Sequence, residues 1–253
     1  MQFDLSKEKY LYSVKPVRTP KVRLVCFPYA GGSASVFREW SKGLPDFVEA
    51  HAIQLPGRAN RLQEKPISCM NQLMEELIPV AKKLVEIPSV FLGYSNGALV
   101  AHELAHRLKD NSNLKKLIIC ARKPPHIRSV AEGQPLRHEL CDADFLAFVR
   151  SLNGMPAEIS DNDELMNMLI PMIRADFKLG GTYQAPDAML DIPFDLFAGE
   201  LDIEATPNEM SEWRKYTSGD FTMKTYNCGH FFLNNHKDDL LSSIRKILQG
   251  VVS

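Results

Sequence analysis

Apolar and polar positions follow two rhythms along this chain. Short apolar-rich runs occur as KVRLVCF (21–27), VEAHAIQL (48–55), SVFLGY (89–94), LKKLIICA (114–121), FDLFAG (194–199) and FTMKTYN (221–227), and each predicts a strand. Longer amphipathic stretches lie between them. Leu73, Leu77, Val80 and Leu84 recur at helical spacing and predict a helix over Asn71–Val85. Leu99–Leu108 and Lys237–Leu248 predict two more. Strands alternating with helices predict an α/β fold, a mostly parallel sheet covered on both faces.

The alternation breaks between about 130 and 185. There the pattern is helical twice, over Asp142–Leu152 and Asp163–Phe177, with no strand between. The alternation resumes at 194, and Thr206-Pro207-Asn208-Glu209 opens another helix. Thr206 can cap it, Pro207 suits its first turn, and Glu209 can close a capping box. Residues 1–253 thus read as one α/β domain. The helical insertion at 130–185 is placed to form a lid over the end of the sheet.

Composition mainly excludes. Lys plus Arg number 30 against 31 for Asp plus Glu, so the chain lacks the basic excess of a general nucleic-acid binder. No apolar run approaches the roughly 18 residues of a membrane span. The opening MQFDLSKEKY has no apolar core like that of a secretory signal. The five cysteines form no CxxC pair, so neither a metal site nor a disulfide framework is expected, and Cys26 and Cys120 read as buried core thiols. The expectation is a cytoplasmic monomer that binds no membrane and no nucleic acid.

The densest chemical signal is Gly93-Tyr94-Ser95-Asn96-Gly97. It matches G-x-S-x-G between a predicted strand and a predicted helix, the context of a nucleophile elbow. A serine hydroxyl needs a base at neutral pH. Among seven histidines, His126, His138 and His236 have no local signature that favours catalysis, whereas His230 lies just after the last strand, within Asn227-Cys228-Gly229-His230-Phe231-Phe232. That places it at the carboxyl edge of the sheet with Ser95, where open α/β sheets bind ligands. His102 and His106, four residues apart on the helix after Ser95, read as a solvated face, and His51 as a structural residue in a strand. The base needs an acid to fix its tautomer. Asp202 follows strand 194–199 at the same edge, with Glu200, Glu204 and Asp195 as competitors. The order Ser95…Asp202…His230 is that of the α/β-hydrolase fold. An oxyanion hole needs two N–H donors. Asn96 supplies one, and Ala30, in Phe27-Pro28-Tyr29-Ala30-Gly31-Gly32-Ser33, is placed to supply the other. Gly31-Gly32 lies in neither G-x-G-x-x-G nor a P-loop, so no nucleotide cofactor is expected.

The chain resembles a known family. Phe27-Pro28-Tyr29-Ala30-Gly31-Gly32, Leu55-Pro56-Gly57-Arg58 with Arg61, Gly93-Tyr94-Ser95-Asn96-Gly97-Ala98, Arg174-Ala175-Asp176-Phe177 and Gly229-His230-Phe231-Phe232 look like the type II thioesterases, free-standing editing enzymes of non-ribosomal peptide and polyketide synthases. The resemblance implies hydrolysis of acyl thioesters on the 4′-phosphopantetheine arm of an acyl- or peptidyl-carrier protein, and maps the triad onto Ser95, Asp202 and His230. Two positions depart from it. Tyr94 stands where the family often has histidine, and Asn96 where it often has methionine, which predicts a more polar pocket wall.

Two readings compete. A general carboxylester hydrolase would share the whole catalytic apparatus, and a non-catalytic carrier-binding protein would share only the fold. Two further expectations concern the acyl chain and the carrier. Met155, Met166, Met168, Met172 and Met189 in and beside the insertion suit an adaptable acyl chamber. The loops Pro56–Arg61 and Cys120–Arg128 carry Arg58, Arg61, Arg122, Lys123 and Arg128 and no acid. Arg122, Lys123 and Arg128 are expected to meet the phosphate of the arm or an acidic carrier. Arg58 and Arg61 are expected to be solvated or tied to a structural carboxylate.

Overall fold

The computed structural model describes Leu5 and residues 8–252, so most of the opening stretch read for a signal lies outside the described residues. One sheet runs through it: β1 (Leu11–Lys15), β2 (Val22–Phe27), β3 (Val48–Ile53), β4 (Ser89–Tyr94), β5 (Leu114–Cys120), β6 (Phe194–Gly199) and β7 (Phe221–Tyr226). The spatial order is β1-β3-β2-β4-β5-β6-β7. All neighbours pair in parallel except β1, which runs antiparallel to β3 at one edge. β2 to β6 read as apolar because both faces are covered. Along β2, Val25 and Phe27 face α1 (Met70–Leu84) and α2 (Asn96–Arg107), together with Leu73, Leu77 and Phe91. Leu24 and Cys26 face the opposite side, with Phe37, Trp40, Leu240 and Ile244. The last two belong to the C-terminal helix, which continues past its expected end to Val252.

β1 escapes the apolar pattern. It is five residues long, only Val14 among them is buried, and its partner β3 covers one edge alone. From β2 the chain crosses to β3 on one side, then returns to β4 on the other. This reversal opens a crevice at the carboxyl ends of β2 and β4, where Phe27 pairs with Gly93.

Between β5 and β6 the chain forms α3 (Asp142–Ser151), α4 (Ala157–Ser160) and α5 (Asp163–Gly181). Asn162 caps α5 by accepting the Leu165 N–H at 3.1 Å. Phe145, Val149, Met166, Ile170 and Ile173 give these helices an apolar core of their own. Arg174 ties their start together. It donates to the carbonyls of His138 (2.8 Å) and Leu140 (2.7 Å) and to Asp142 (2.7 Å), over the ring of Phe145. After β6 comes α6 (Pro207–Ser211), and the predicted capping box is present. The Glu209 N–H reaches the Thr206 hydroxyl at 3.3 Å, and Glu209 accepts the Thr206 N–H at 3.0 Å. No helix among the described residues is long and apolar enough to cross a membrane.

The structure corrects the reading of His102 and His106. They do not lie on a solvated face, because α2 is covered all round, between the sheet, α1 and α5. His102 is enclosed by Tyr183, Phe194, Trp213 and Tyr216. Its Nδ1 lies 3.1 Å from the Tyr183 hydroxyl, which itself donates to Glu103 at 2.9 Å. Burial, with His106 beside it, holds His102 well below the ordinary histidine range. The folded protein therefore keeps His102 neutral, whereas the unfolded chain protonates it below about pH 6.5. Stability from this group is present above that pH and is lost as pH falls through it, by up to about 1.4 kcal/mol per unit. Chemical denaturation between pH 7 and 5 should show this slope, and His102→Gln should flatten it. An unchanged slope in the variant would assign it to other groups.

Candidate active site

The elbow turns at Ser95, whose φ of +51° and ψ of −119° are rare for a residue with a side chain. The turn persists because its neighbours have no room for any other course. A Cβ on Gly97 would lie 2.2 Å from the Phe27 carbonyl oxygen, and one on Gly93 would lie 2.3 Å from the Ala98 Cα. The Ser95 N–H is held by the Cys120 carbonyl at 2.8 Å, which fastens the turn to the end of β5. The hydroxyl is thereby presented above the sheet edge, with α2 starting beneath it.

The structure brings the other two residues to this hydroxyl. His230 Nε2 is 3.0 Å from Ser95 Oγ, and His230 Nδ1 is 2.7 Å from Asp202 Oδ2. The second oxygen of Asp202 accepts the N–H groups of Glu204 (2.9 Å) and Ala205 (3.1 Å). A carboxylate that accepts on both oxygens leaves Nδ1 as the donor, so Nε2 offers its lone pair to the serine. The competing acids are engaged elsewhere. Asp195 accepts from Lys116 and Thr222, and Glu200 accepts from Thr225. Glu204 lies 4.0 Å from Arg137.

Ala30 and Asn96 both sit at the crevice. The neighbours of Ala30 spend their N–H groups, Gly31 on Asp176 (2.8 Å) and Gly32 on the Tyr29 carbonyl (2.9 Å). The Ala30 N–H has no partner among the described residues. Asn96 heads α2, where the first N–H groups have no partner within the helix. Sequence reasoning missed Tyr94. Its hydroxyl donates to the His230 carbonyl at 2.5 Å, and its ring is fully buried against Phe232. Burial pushes this phenol well up, so it stays protonated and keeps donating. The departure from the usual histidine at this position was the signal that could have pointed to it.

The family model for the thioesterase domain matches residues 22–248. The chain belongs to the thioesterase family. It is 36% identical over 256 residues to the gramicidin S biosynthesis protein GrsT of Aneurinibacillus migulanus, covering 100% of this chain and 99% of that one. It is 37% identical over 233 residues to the thioesterase PikA5 of Streptomyces venezuelae, covering 90% and 82%. Among solved structures, the type II thioesterase BorB from the borrelidin biosynthetic cluster superposes with a TM-score of 0.82 at 30% identity, covering 98% of both chains. The resemblance to type II thioesterases and the α/β-hydrolase fold are thereby borne out, and the protein is an enzyme.

A cavity of about 470 Å³ opens in this thioesterase between the insertion and the loop after β2. Tyr29, Ala30, Leu169, Met172, Ile173 and Phe231 are among the residues lining it. It therefore touches both the loop of Ala30 and the residue after His230. Its lining is mainly apolar and includes Met155 and Met172, but not the other three methionines of the expected chamber. Met166 is in the insertion core, while Met168 and Met189 are exposed. Periodicity alone did not separate the faces of α5. Nor does Asn96 make a pocket wall polar. Its side chain turns under α5, donating to the Asp176 carbonyl at 2.9 Å, in space left by Gly180.

The structure also corrects the charge count at the rim. Lys123 is buried and donates to Glu209 at 3.1 Å. Arg122 is partly covered, its Nε buried, and its carbonyl accepts the Trp213 indole N–H at 2.6 Å. Arg58 pairs with Asp176 and Arg61 with Glu64. Asp176 and Glu209 arrive from distant segments, and Glu64 lies just beyond the end of the first loop. Arg128 keeps an exposed side chain.

Proposed function

We propose that this thioesterase hydrolyses acyl groups held as thioesters on the 4′-phosphopantetheine arm of an acyl- or peptidyl-carrier protein, in an editing or release role within non-ribosomal peptide or polyketide biosynthesis. The observation that carries the reading is the continuous chain Ser95–His230–Asp202 beside an apolar cavity reaching the Ala30 loop. Ser95 Oγ attacks the thioester carbonyl and passes its proton to His230 Nε2. The N–H groups of Ala30 and Asn96 stabilise the oxyanion. The C–S bond breaks, His230 returns the proton to the leaving thiol, and an acyl-Ser95 ester remains. Water activated by His230 then releases the acid and restores the serine. Asp202 holds the imidazole with Nδ1 as donor throughout. The cavity takes the acyl chain, and Arg128 remains as the candidate contact for the carrier or its phosphodiester.

Thioester hydrolysis distinguishes this reading from a general esterase. kcat/KM should be at least about tenfold higher for an acyl-carrier thioester than for a simple oxyester of the same acyl group. The reverse preference would favour the carboxylester hydrolase. Chain selection offers a second check. Met172 is buried at the cavity wall, whereas Met168 is exposed. Met172→Trp should shift preference toward shorter acyl chains by about tenfold, the scale of a few lost methylene contacts. Met168→Trp should leave the profile unchanged. A uniform loss across all chain lengths in the Met172 variant would place that side chain outside the acyl path.

A further inference from the structure

Asp176 stands at a junction that the proposed chemistry does not use. It lies in α5 and is 2% exposed. Its Oδ1 accepts Arg58 Nη2 and its Oδ2 accepts Arg58 Nη1, both at 2.7 Å. Oδ2 also accepts the Gly31 N–H at 2.8 Å. Arg58 Nη1 reaches on to the Gly32 carbonyl at 3.1 Å. From the backbone of the same residue, the Asp176 carbonyl accepts the Asn96 side-chain amide at 2.9 Å. One residue of the insertion therefore grips both segments that carry the oxyanion donors: the Ala30-Gly31-Gly32 loop and the start of α2.

We infer that Asp176 is a positioning residue that sets the oxyanion hole and makes its geometry depend on where the insertion sits. The inference rests on the reading of Ser95, Ala30 and Asn96 given above. The Ala30 loop is intrinsically loose. It contains two consecutive glycines, and Gly31 adopts φ +78°, so its course needs an external restraint. Oxyanion donors are effective only when held within a few tenths of an ångström of the developing charge. A buried ion pair is a poor source of stability compared with apolar residues of similar size, and its best-attested use is to fix one arrangement among several. Here the pair does so at the loop whose next N–H is the donor. A shift of α5 that breaks the Gly31 contact would also pull on Asn96, so both donors would lose their aim together.

An alkylboronic acid tests this, because its adduct with Ser95 carries a tetrahedral oxyanion, whereas the matching alkyl carboxamide fills the cavity without one. In Asp176→Leu, which removes both acceptor oxygens, boronate affinity should fall about 10–100-fold, while carboxamide affinity changes less than about threefold. kcat should fall with KM nearly unchanged. A loosened fold would weaken both probes alike. Should Asp176→Leu fail to fold because Arg58 is left buried without a partner, Arg58→Met with Asp176→Leu replaces the pair by apolar groups of similar size and still frees the Gly31 N–H. The same split between probes is expected there. Equal weakening of both probes, or wild-type boronate affinity in a folded variant, would overturn the role of Asp176. A wild-type protein that takes up no boronate would overturn the reading of Ser95 and this inference with it.

Discussion

Ser95→Ala should fold normally and lose thioester turnover by about 10³-fold or more, and His230→Ala should lose about as much. The two losses should not multiply. In the proposed mechanism the serine is a nucleophile only while Nε2, 3.0 Å away, can take its proton, and the imidazole has no proton to take once the hydroxyl is gone. The double variant should therefore be little worse than either single one, retaining what the oxyanion donors and the cavity provide unaided. Folding should survive because the strain at the elbow lies in the backbone and its glycine neighbours, not in the hydroxyl. Steady-state kinetics of the three variants, with thermal unfolding beside them, provides the check. Losses that multiply would mean that Ser95 and His230 act in separate steps.

Asp202→Asn should lower kcat by about 10³–10⁴-fold without unfolding the loop. The aspartate does two things with two oxygens. Oδ1 accepts the N–H groups of Glu204 and Ala205, and Oδ2 accepts from His230 Nδ1 at 2.7 Å. An asparagine keeps the first set through its own carbonyl oxygen and turns an NH₂ toward the imidazole. Two donors cannot face each other, so the histidine must present an unprotonated Nδ1 and carry its hydrogen on Nε2. That tautomer cannot accept the serine proton. Ring proton resonances should report the switch directly. Activity within about tenfold of wild type would show that Asp202 merely shapes the loop.

Strands covered on both faces are legible because their centres are continuous apolar runs, Leu24–Phe27 in β2 and Val90–Leu92 in β4, whereas the edge strand β1 has no such run. Ser95, Asp202 and His230 could be placed at one edge for a related reason. Each directly follows a strand, so topology rather than local pattern sets its height. The buried histidines of α2 were misread because two polar residues four apart resemble a wet face. Only the packing of Tyr183, Trp213 and Tyr216 around them, from distant parts of the chain, shows otherwise. Lys123 is misread for the same physical reason, whereas Arg58 is tied to a structural carboxylate as expected. Asp176 and Glu209 lie 118 and 86 residues from Arg58 and Lys123, beyond the reach of any local charge count.

In the proposed function Ser95 removes an acyl group from a carrier-bound thioester. The most direct measurement weighs the carrier itself by intact-protein mass spectrometry, after incubating acyl-loaded carrier with a catalytic amount of the thioesterase in ¹⁸O-water. The carrier should return to the mass of its free phosphopantetheine thiol, the released acid should hold one ¹⁸O from water, and Ser95→Ala should leave the carrier acylated. A carrier that stays acylated with the wild-type protein, while an oxyester of the same acyl group is cleaved, would contradict the account.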